Sequence, residues 1–322
     1  MKKAAKKLLG AAAAVGGVYV GLVTVLDNLL VRRKWTVPSS FGEKIANADM
    51  SDLNKKSEEF KQVLKTLPVE KHCIVSDRGE KLVGWLFRPE EESKVFVLCA
   101  HGYRSSGRSE FSGISQYYRT KKGFNAMVVD HTASGDSEGN FVGFGHFEVE
   151  DCMKWVRYLI ENFGDDITII LHGISMGSAT VMLMAGEPDL PENVKMVVAD
   201  CGFTSAIDEF THKSKDLHID KLPAIIPLVN LINRVQAGYD FRDTDAFAAV
   251  QHAKVPMLFI HGGADLFVPT FMSEKNYEAC SSEIKDILII DGADHAQSYI
   301  VDQEAYEAKI DEFMDRVGIA HK

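Results

Sequence analysis

From about residue 71 the chain alternates short apolar runs with longer amphipathic ones. KHCIVS (71–76) and KLVGWLFRP (81–89) flank Asp77-Arg78-Gly79, a turn signal that predicts an antiparallel hairpin. Six more runs follow: VFVLCA (95–100), FNAMVVD (124–130), ITIILH (167–172), VKMVVAD (194–200), VPMLFIH (255–261) and ILIID (287–291). Each is nearly continuous in apolar residues, the mark of parallel strands buried on both faces. Helix-periodic stretches separate most of them, such as FEVEDCMKWVRYLIENF (147–163), and AYEAKIDEFMDRV (305–317) follows the last. Parallel strands need crossovers, and these stretches supply them. The pattern predicts an α/β fold: an eight-stranded, mostly parallel sheet with helices on both faces, over residues 71–322.

Three regions depart from that rhythm. Residues 203–253 are too long for a simple crossover and carry Pro223, Pro227 and the cluster Leu222, Ile225, Ile226, Leu228, Val229, Leu231 and Ile232. They are expected to form a helical cap over the site; the plainer alternative is a helix pair that only packs. Residues 35–70 read as a polar connector with a helix near 52–67, stopped by Pro68. Residues 1–34 read as a membrane anchor with basic flanks, because Leu8 to Leu26 runs without a charge; a helix buried in the protein body is the alternative. As a helix that stretch spans roughly 28 Å, near the thickness of a bilayer core. Too little apolar sequence precedes Ala11–Ala14 for a signal-peptide cleavage site there. Gly17 and Gly21 form a weak helix-pairing motif, and the balance of flanking lysines and arginines leans towards a catalytic body outside the cytoplasm.

Charge narrows the function. The chain carries a net −10, but residues 1–34 hold seven basic residues against Asp27, which leaves 29 basic and 45 acidic residues beyond them. So negative a body repels phosphate backbones, and no nucleic-acid partner is expected. The five cysteines, at 73, 99, 152, 201 and 280, include no C-x-x-C pair and no zinc spacing. They read as buried, inert thiols, and no metal or cofactor is expected.

The candidate chemistry lies at the ends of the apolar runs. Gly173-Ile174-Ser175-Met176-Gly177 matches G-x-S-x-G directly after ITIILH and before the helix-compatible SATVMLMAG. A strand-to-helix turn of this kind presents its serine as a nucleophile. Gly135-Asp136-Ser137-Glu138-Gly139 matches the same pentapeptide. No strand abuts it, an aromatic loop follows, and its acidic neighbours oppose an anionic transition state, so Ser137 is read as a loop residue. The loop after VFVLCA nominates the Tyr103 N–H, and the elbow nominates the Met176 N–H, as an oxyanion hole. Asp265, in HGGADLFVP, and His295, in GADHAQSY, follow the last two runs. They complete a Ser, Asp, His order, with His295 as base and Asp265 orienting it. Asp200 is the second candidate acid. His101, His172 and His261 are read as structural.

On these residues the chain resembles the α/β-hydrolase superfamily over about residues 70–318. CAHGYRSSG, DHTASGDSEG, LHGISMGSATVMLMAGE, ADCGFTS, AGYDF, HGGADLFVP and GADHAQSY carry the resemblance. More narrowly it is similar to membrane-anchored or secreted α/β hydrolases of Gram-positive bacteria, many of which carry Arg-Gly where this chain has His131-Thr132. The resemblance implies a serine hydrolase acting on a small acyl ester or a peptide-like substrate. Ester cleavage through an acyl-enzyme is the leading expectation. A serine peptidase or thioesterase would use the same triad, and a non-catalytic binding protein of this fold stands further off. Dehalogenase chemistry is excluded, since it needs a carboxylate at the elbow.

Overall fold

A computed structural model describes residues 20–33, 51–216 and 222–321. In chain order, helix α1 covers residues 20–31 and α2 covers Ser51–Thr66. Strands β1 (Glu70–Val75), β2 (Lys81–Phe87), β3 (Val95–Ala100) and β4 (Asn125–Asp130) follow. Then come α3 (His146–Phe163), β5 (Thr168–Ile174), α4 (Met176–Ala185) and β6 (Val194–Asp200). Helices α5 (Ala206–Asp216) and α6 (Leu222–Gln236) lie between β6 and β7 (Met257–Gly262). Helix α7 (Thr270–Ala279), β8 (Lys285–Ile290) and α8 (Gln303–Val317) complete the main elements.

The eight strands form one sheet in the order β1-β2-β4-β3-β5-β6-β7-β8. β1 and β2 pair antiparallel, as does β2 with β4, and every other pair is parallel. Side chains on a strand alternate between faces, and here the two faces feed two cores. Val97, Val128, Ile170, Val198 and Leu258 pack on one side. Their neighbours Leu98, Met127, Leu171, Val197 and Phe259 pack on the other. This explains the unbroken apolar runs: both faces of the inner strands are covered.

The edges behave differently. β8, expected as fully buried, pairs only with β7 and leaves Ile289 38% exposed. Cys73, expected as a buried thiol, is exposed because β1 is the opposite edge. The other four cysteines are buried, and all five are free thiols.

The N-terminal segment requires a larger correction. Among the described residues no helix is long and apolar enough to cross a membrane. Residues 8–19 of the expected span, Gly17 included, lie outside the described residues, whereas residues 20–26 belong to α1. That helix seats one face on the body: Val23, Asp27 and Val31, four residues apart, are 2%, 0% and 0% exposed. An uncharged run is thus amphipathic in its last third, and the membrane-spanning reading loses those residues.

Candidate active site

The C-terminal ends of the parallel strands point to one edge of the sheet, where open α/β folds gather their chemistry. Ser175 follows β5 with φ 56° and ψ −116° and begins the turn into α4. Positive φ in a non-glycine residue is strained and needs close support. The support is local. The Ser175 N–H donates to the Asp200 carbonyl at 2.9 Å, and the Ser175 carbonyl accepts from the Ala179 N–H at 3.0 Å. A Cβ at Gly173 would collide with the Gly177 main chain, and one at Gly177 with the Ala100 carbonyl, so both flanking glycines are sterically required.

The structure brings Ser175, His295 and Asp265 into one hydrogen-bonded line. His295 Nε2 is 2.8 Å from Ser175 Oγ, and its Nδ1 is 2.8 Å from Asp265 Oδ2. Since the carboxylate only accepts, Nδ1 carries the ring proton and Nε2 has a lone pair facing the hydroxyl. Asp265 Oδ1 accepts the N–H groups of Phe267 and Val268 at 2.8 and 2.9 Å. Burial opposes ionisation of Asp265, yet hydrogen bonds from His261 and His295 outweigh it and hold the carboxyl well below the usual range.

His261 proves to be more than a packed ring. Its Nε2 lies 2.9 Å from the Val268 carbonyl and 3.1 Å from Asp265 Oδ2, and its Nδ1 is 2.6 Å from Ser273 Oγ. The carbonyl assigns the proton to Nε2, so His261 orients Asp265 from behind. Asp294, adjacent to His295, instead organises its loop: Oδ1 accepts the His295 N–H at 2.7 Å and the Leu266 N–H at 3.4 Å.

The structure keeps Asp200 off the imidazole. Its Oδ2 accepts the Tyr306 hydroxyl at 2.9 Å, and burial pushes the carboxyl up to about 6. His172 lies between Tyr118 and Tyr306 at 3.0 and 2.9 Å, and burial pushes it down to about 3. His101 bonds the Gly102 carbonyl through Nδ1 at 2.7 Å and accepts the His131 N–H through Nε2 at 3.1 Å.

Gly102 and Tyr103 run beside Ser175: a Cβ on Gly102 would lie 3.1 Å from Ser175 Cβ. No acceptor among the described residues takes the Tyr103 or the Met176 N–H. The Met176 N–H also opens α4, so the positive end of that helix faces the same space. Glu110, which no motif flagged, accepts the Gly102 N–H, and burial raises its carboxyl to about 7. Only the folded chain brings that residue under the loop.

Cys201, Asp265 and His295 offer donor atoms within 4.8 Å of one another. Burial raises the Cys201 thiol well above its usual range, and the imidazole and carboxylate are already bonded together. The trio lacks the ionised sulfur and open lone pairs a metal would take.

A family model described as the prolyl oligopeptidase family matches residues 109–318. An uncharacterized Bacillus subtilis protein, YqkD, is 24% identical over 97% of this chain and 98% of its own length. An uncharacterized Escherichia coli protein, YfhR, is 22% identical over 66% of this chain and 69% of its own. Among solved structures, an esterase from Pyrococcus furiosus superposes with a TM-score of 0.59 at 20% identity, covering 79% of this chain and 93% of its own. An acylaminoacyl peptidase from Pyrococcus horikoshii gives 0.57 at 18% identity, covering 79% of this chain and 43% of its own.

Proposed function

Because this chain belongs to the prolyl oligopeptidase family of α/β hydrolases, we propose that it is a serine hydrolase cleaving carboxylic esters through an acyl-enzyme on Ser175. The observation that carries the reading is the line from Ser175 Oγ through His295 to Asp265, with both links at 2.8 Å. A serine hydroxyl is a weak nucleophile until a base takes its proton. His295 Nε2 takes it as Oγ bonds to the acyl carbon, and Asp265 stabilises the imidazolium. The carbonyl oxygen becomes an oxyanion facing the Tyr103 and Met176 N–H groups. As the tetrahedral adduct collapses, the imidazolium gives its proton to the leaving alcohol. Water then repeats the sequence on the acyl-enzyme and frees the acid.

The preference for esters rests on the aromatic packing of the loop that runs beside Ser175. Tyr103 stacks on Phe144 at 5.1 Å, and Phe144 meets Phe210 of α5 edge-on at 5.1 Å. An apolar environment of this kind next to the serine suits an apolar acyl or aryl group. The family's name and the peptidase neighbour support a second reading, an aminoacyl amide or peptide substrate for the same triad. Full-length protein assayed with p-nitrophenyl esters of rising chain length and with aminoacyl amides separates the two. Ester turnover should exceed amide turnover; the reverse order replaces the first reading with the second. Fluorophosphonate should label Ser175, and folded protein that takes no label removes both.

The localisation proposed is attachment to a membrane through the uncharged run that begins at Leu8, with the catalytic body outside the cytoplasm on the balance of lysines and arginines flanking Leu8 to Leu26. Fractionation of cells expressing the full chain, followed by protease treatment of intact spheroplasts, tests it. A protein recovered in the soluble cytoplasmic fraction overturns it.

A further inference from the structure

The loop that offers the Tyr103 N–H is fastened by a helix far upstream in the chain. Helix α1 ends over this loop, and the carbonyls of a last helical turn have no partner within their own helix. Here three of them are met by donors from elsewhere in the chain. Leu29 O accepts Arg104 Nη2 at 2.5 Å, Leu30 O accepts the Tyr103 hydroxyl at 2.6 Å, and Val31 O accepts the Val142 N–H at 2.7 Å. The Arg33 guanidinium reaches the Gly135 carbonyl at 2.6 Å and also the Ser137 carbonyl. On α6, Gln236 Nε2 donates to Asp27 Oδ2 at 3.2 Å. Arg104 holds φ 55°, a conformation unfavourable for a side-chain-bearing residue and one the loop would not keep without outside support.

Resting on the serine-hydrolase reading above, we propose that the last turn of α1 is a positioning element for the reaction. Through the Tyr103 hydroxyl and the Arg104 guanidinium, it holds the Tyr103 main-chain N–H where the oxyanion forms. The two side chains touch no reacting atom; they act through the backbone between them. An oxyanion donor works only if it already stands at the place where charge develops, and a displacement of about 1 Å can cost up to about a hundredfold in rate. Loss of the tether therefore lowers kcat and leaves KM nearly unchanged, because the neutral ground-state ester depends little on that N–H.

The test uses the full-length chain and a p-nitrophenyl ester. Tyr103→Phe keeps the ring and its stack on Phe144 and removes only the hydroxyl. Arg104→Gln removes the guanidinium. Each should lower kcat about 5- to 20-fold, with KM within about twofold and the unfolding midpoint nearly unchanged. Val23→Asp places a carboxylate on the buried stripe of α1, away from the loop, and faster trypsin cleavage at Arg32 or Arg33 reports undocking. Once undocked, its kcat should fall to the Tyr103→Phe level, and the double variant should fall no further. Should α1 stay docked, the two loop variants decide alone. Wild-type kcat in the loop variants overturns the proposal, as does wild-type kcat in an undocked Val23→Asp chain. Losses that come with a raised KM and a lowered unfolding midpoint indicate general loosening and also overturn it. A wild-type chain that hydrolyses no ester and takes no fluorophosphonate fails the serine-hydrolase reading instead, before any variant is compared.

Discussion

Two Gly-x-Ser-x-Gly sequences occur in this molecule, and their serines are alike in burial, 6% exposed for Ser175 and 1% for Ser137. They differ in what each hydroxyl faces. Ser175 presents its Oγ to His295 Nε2 at 2.8 Å, a side-chain nitrogen of a kind able to carry the proton away. Ser137 has both roles of its hydroxyl committed to main chain: Oγ donates to the Asp130 carbonyl at 2.5 Å and accepts the Val83 N–H at 2.8 Å. A peptide carbonyl cannot take up that proton, so this hydroxyl ties β2 to the loop after β4. The associated carboxylates divide in the same way. Asp265 serves the imidazole, whereas Asp130 accepts the Gly107 N–H at 2.9 Å, the Asp136 N–H at 3.0 Å and Trp85 Nε1 at 3.3 Å. Chemistry in this pentapeptide comes from the partner of the hydroxyl, not from the pentapeptide.

The largest expected effect breaks the member of the pair proposed as nucleophile. Ser175→Ala should reduce ester hydrolysis by on the order of 10⁴–10⁶ and abolish fluorophosphonate labelling. Its unfolding midpoint should stay close to wild type, since alanine keeps the φ 56° backbone and only one hydroxyl is lost. Labelling that persists in this variant and disappears in Ser137→Ala would invert the comparison. Next in size, Asp265→Asn should lower kcat by about 10³–10⁴, because the amide can present its NH2 to Nδ1 and favour the wrong tautomer. A loss under tenfold would return the acid's role to a neighbour, with Asp200 the first to try.

Ser137→Ala should show the opposite signature. The Val83 N–H loses its buried acceptor, which costs about 1–3 kcal/mol of stability by urea unfolding, and kcat should stay within a few-fold. A variant as stable as wild type would mean that water takes the hydroxyl's place.

Much of this contrast could be read from the chain because it is local. β5 abuts the first pentapeptide and α4 follows it, and the steric need for Gly173 and Gly177 comes from that turn and the adjoining β3 end. Asp265 and His295 could be placed because each follows its own apolar run. What stayed hidden depends on contacts between distant segments. Glu110 meets Gly102 only once the loop after β3 folds back, and nothing in its spacing announces that. The tether from Leu29 and Leu30 to Arg104 and Tyr103 uses main-chain carbonyls, which every residue possesses and no pattern marks. The same holds for residues 20–26. Hydropathy counts them as lipid-compatible, but their seat on the body depends on a periodicity of one face that a count of uncharged residues ignores.

The smallest effect concerns what lies beneath the two serines. Under the Ser175 loop, burial raises Glu110 to about 7, and the nearby Asp200 charge adds to the shift. A free glutamate ionises near 4.3. Between these values the folded chain retains a proton that the unfolded chain has released, so stability falls as pH rises across the window. The contribution is whole below the unfolded value and gone once pH has passed about 7. Glu110→Gln keeps a carbonyl acceptor for the Gly102 N–H and cannot ionise. The variant should therefore match wild type near pH 4 and exceed it by about 1–2 kcal/mol at pH 8 in urea unfolding, the lower part of the range this shift allows. Ser137→Ala alters no ionisable group, so its deficit should stay level over the same range. Glu110→Gln and wild-type curves that run parallel from pH 4 to pH 8 would mean that the carboxyl ionises as freely as in the unfolded chain. The floor beneath Ser175 would then be no drier than the loop around Ser137, and the two sites would differ by the imidazole alone.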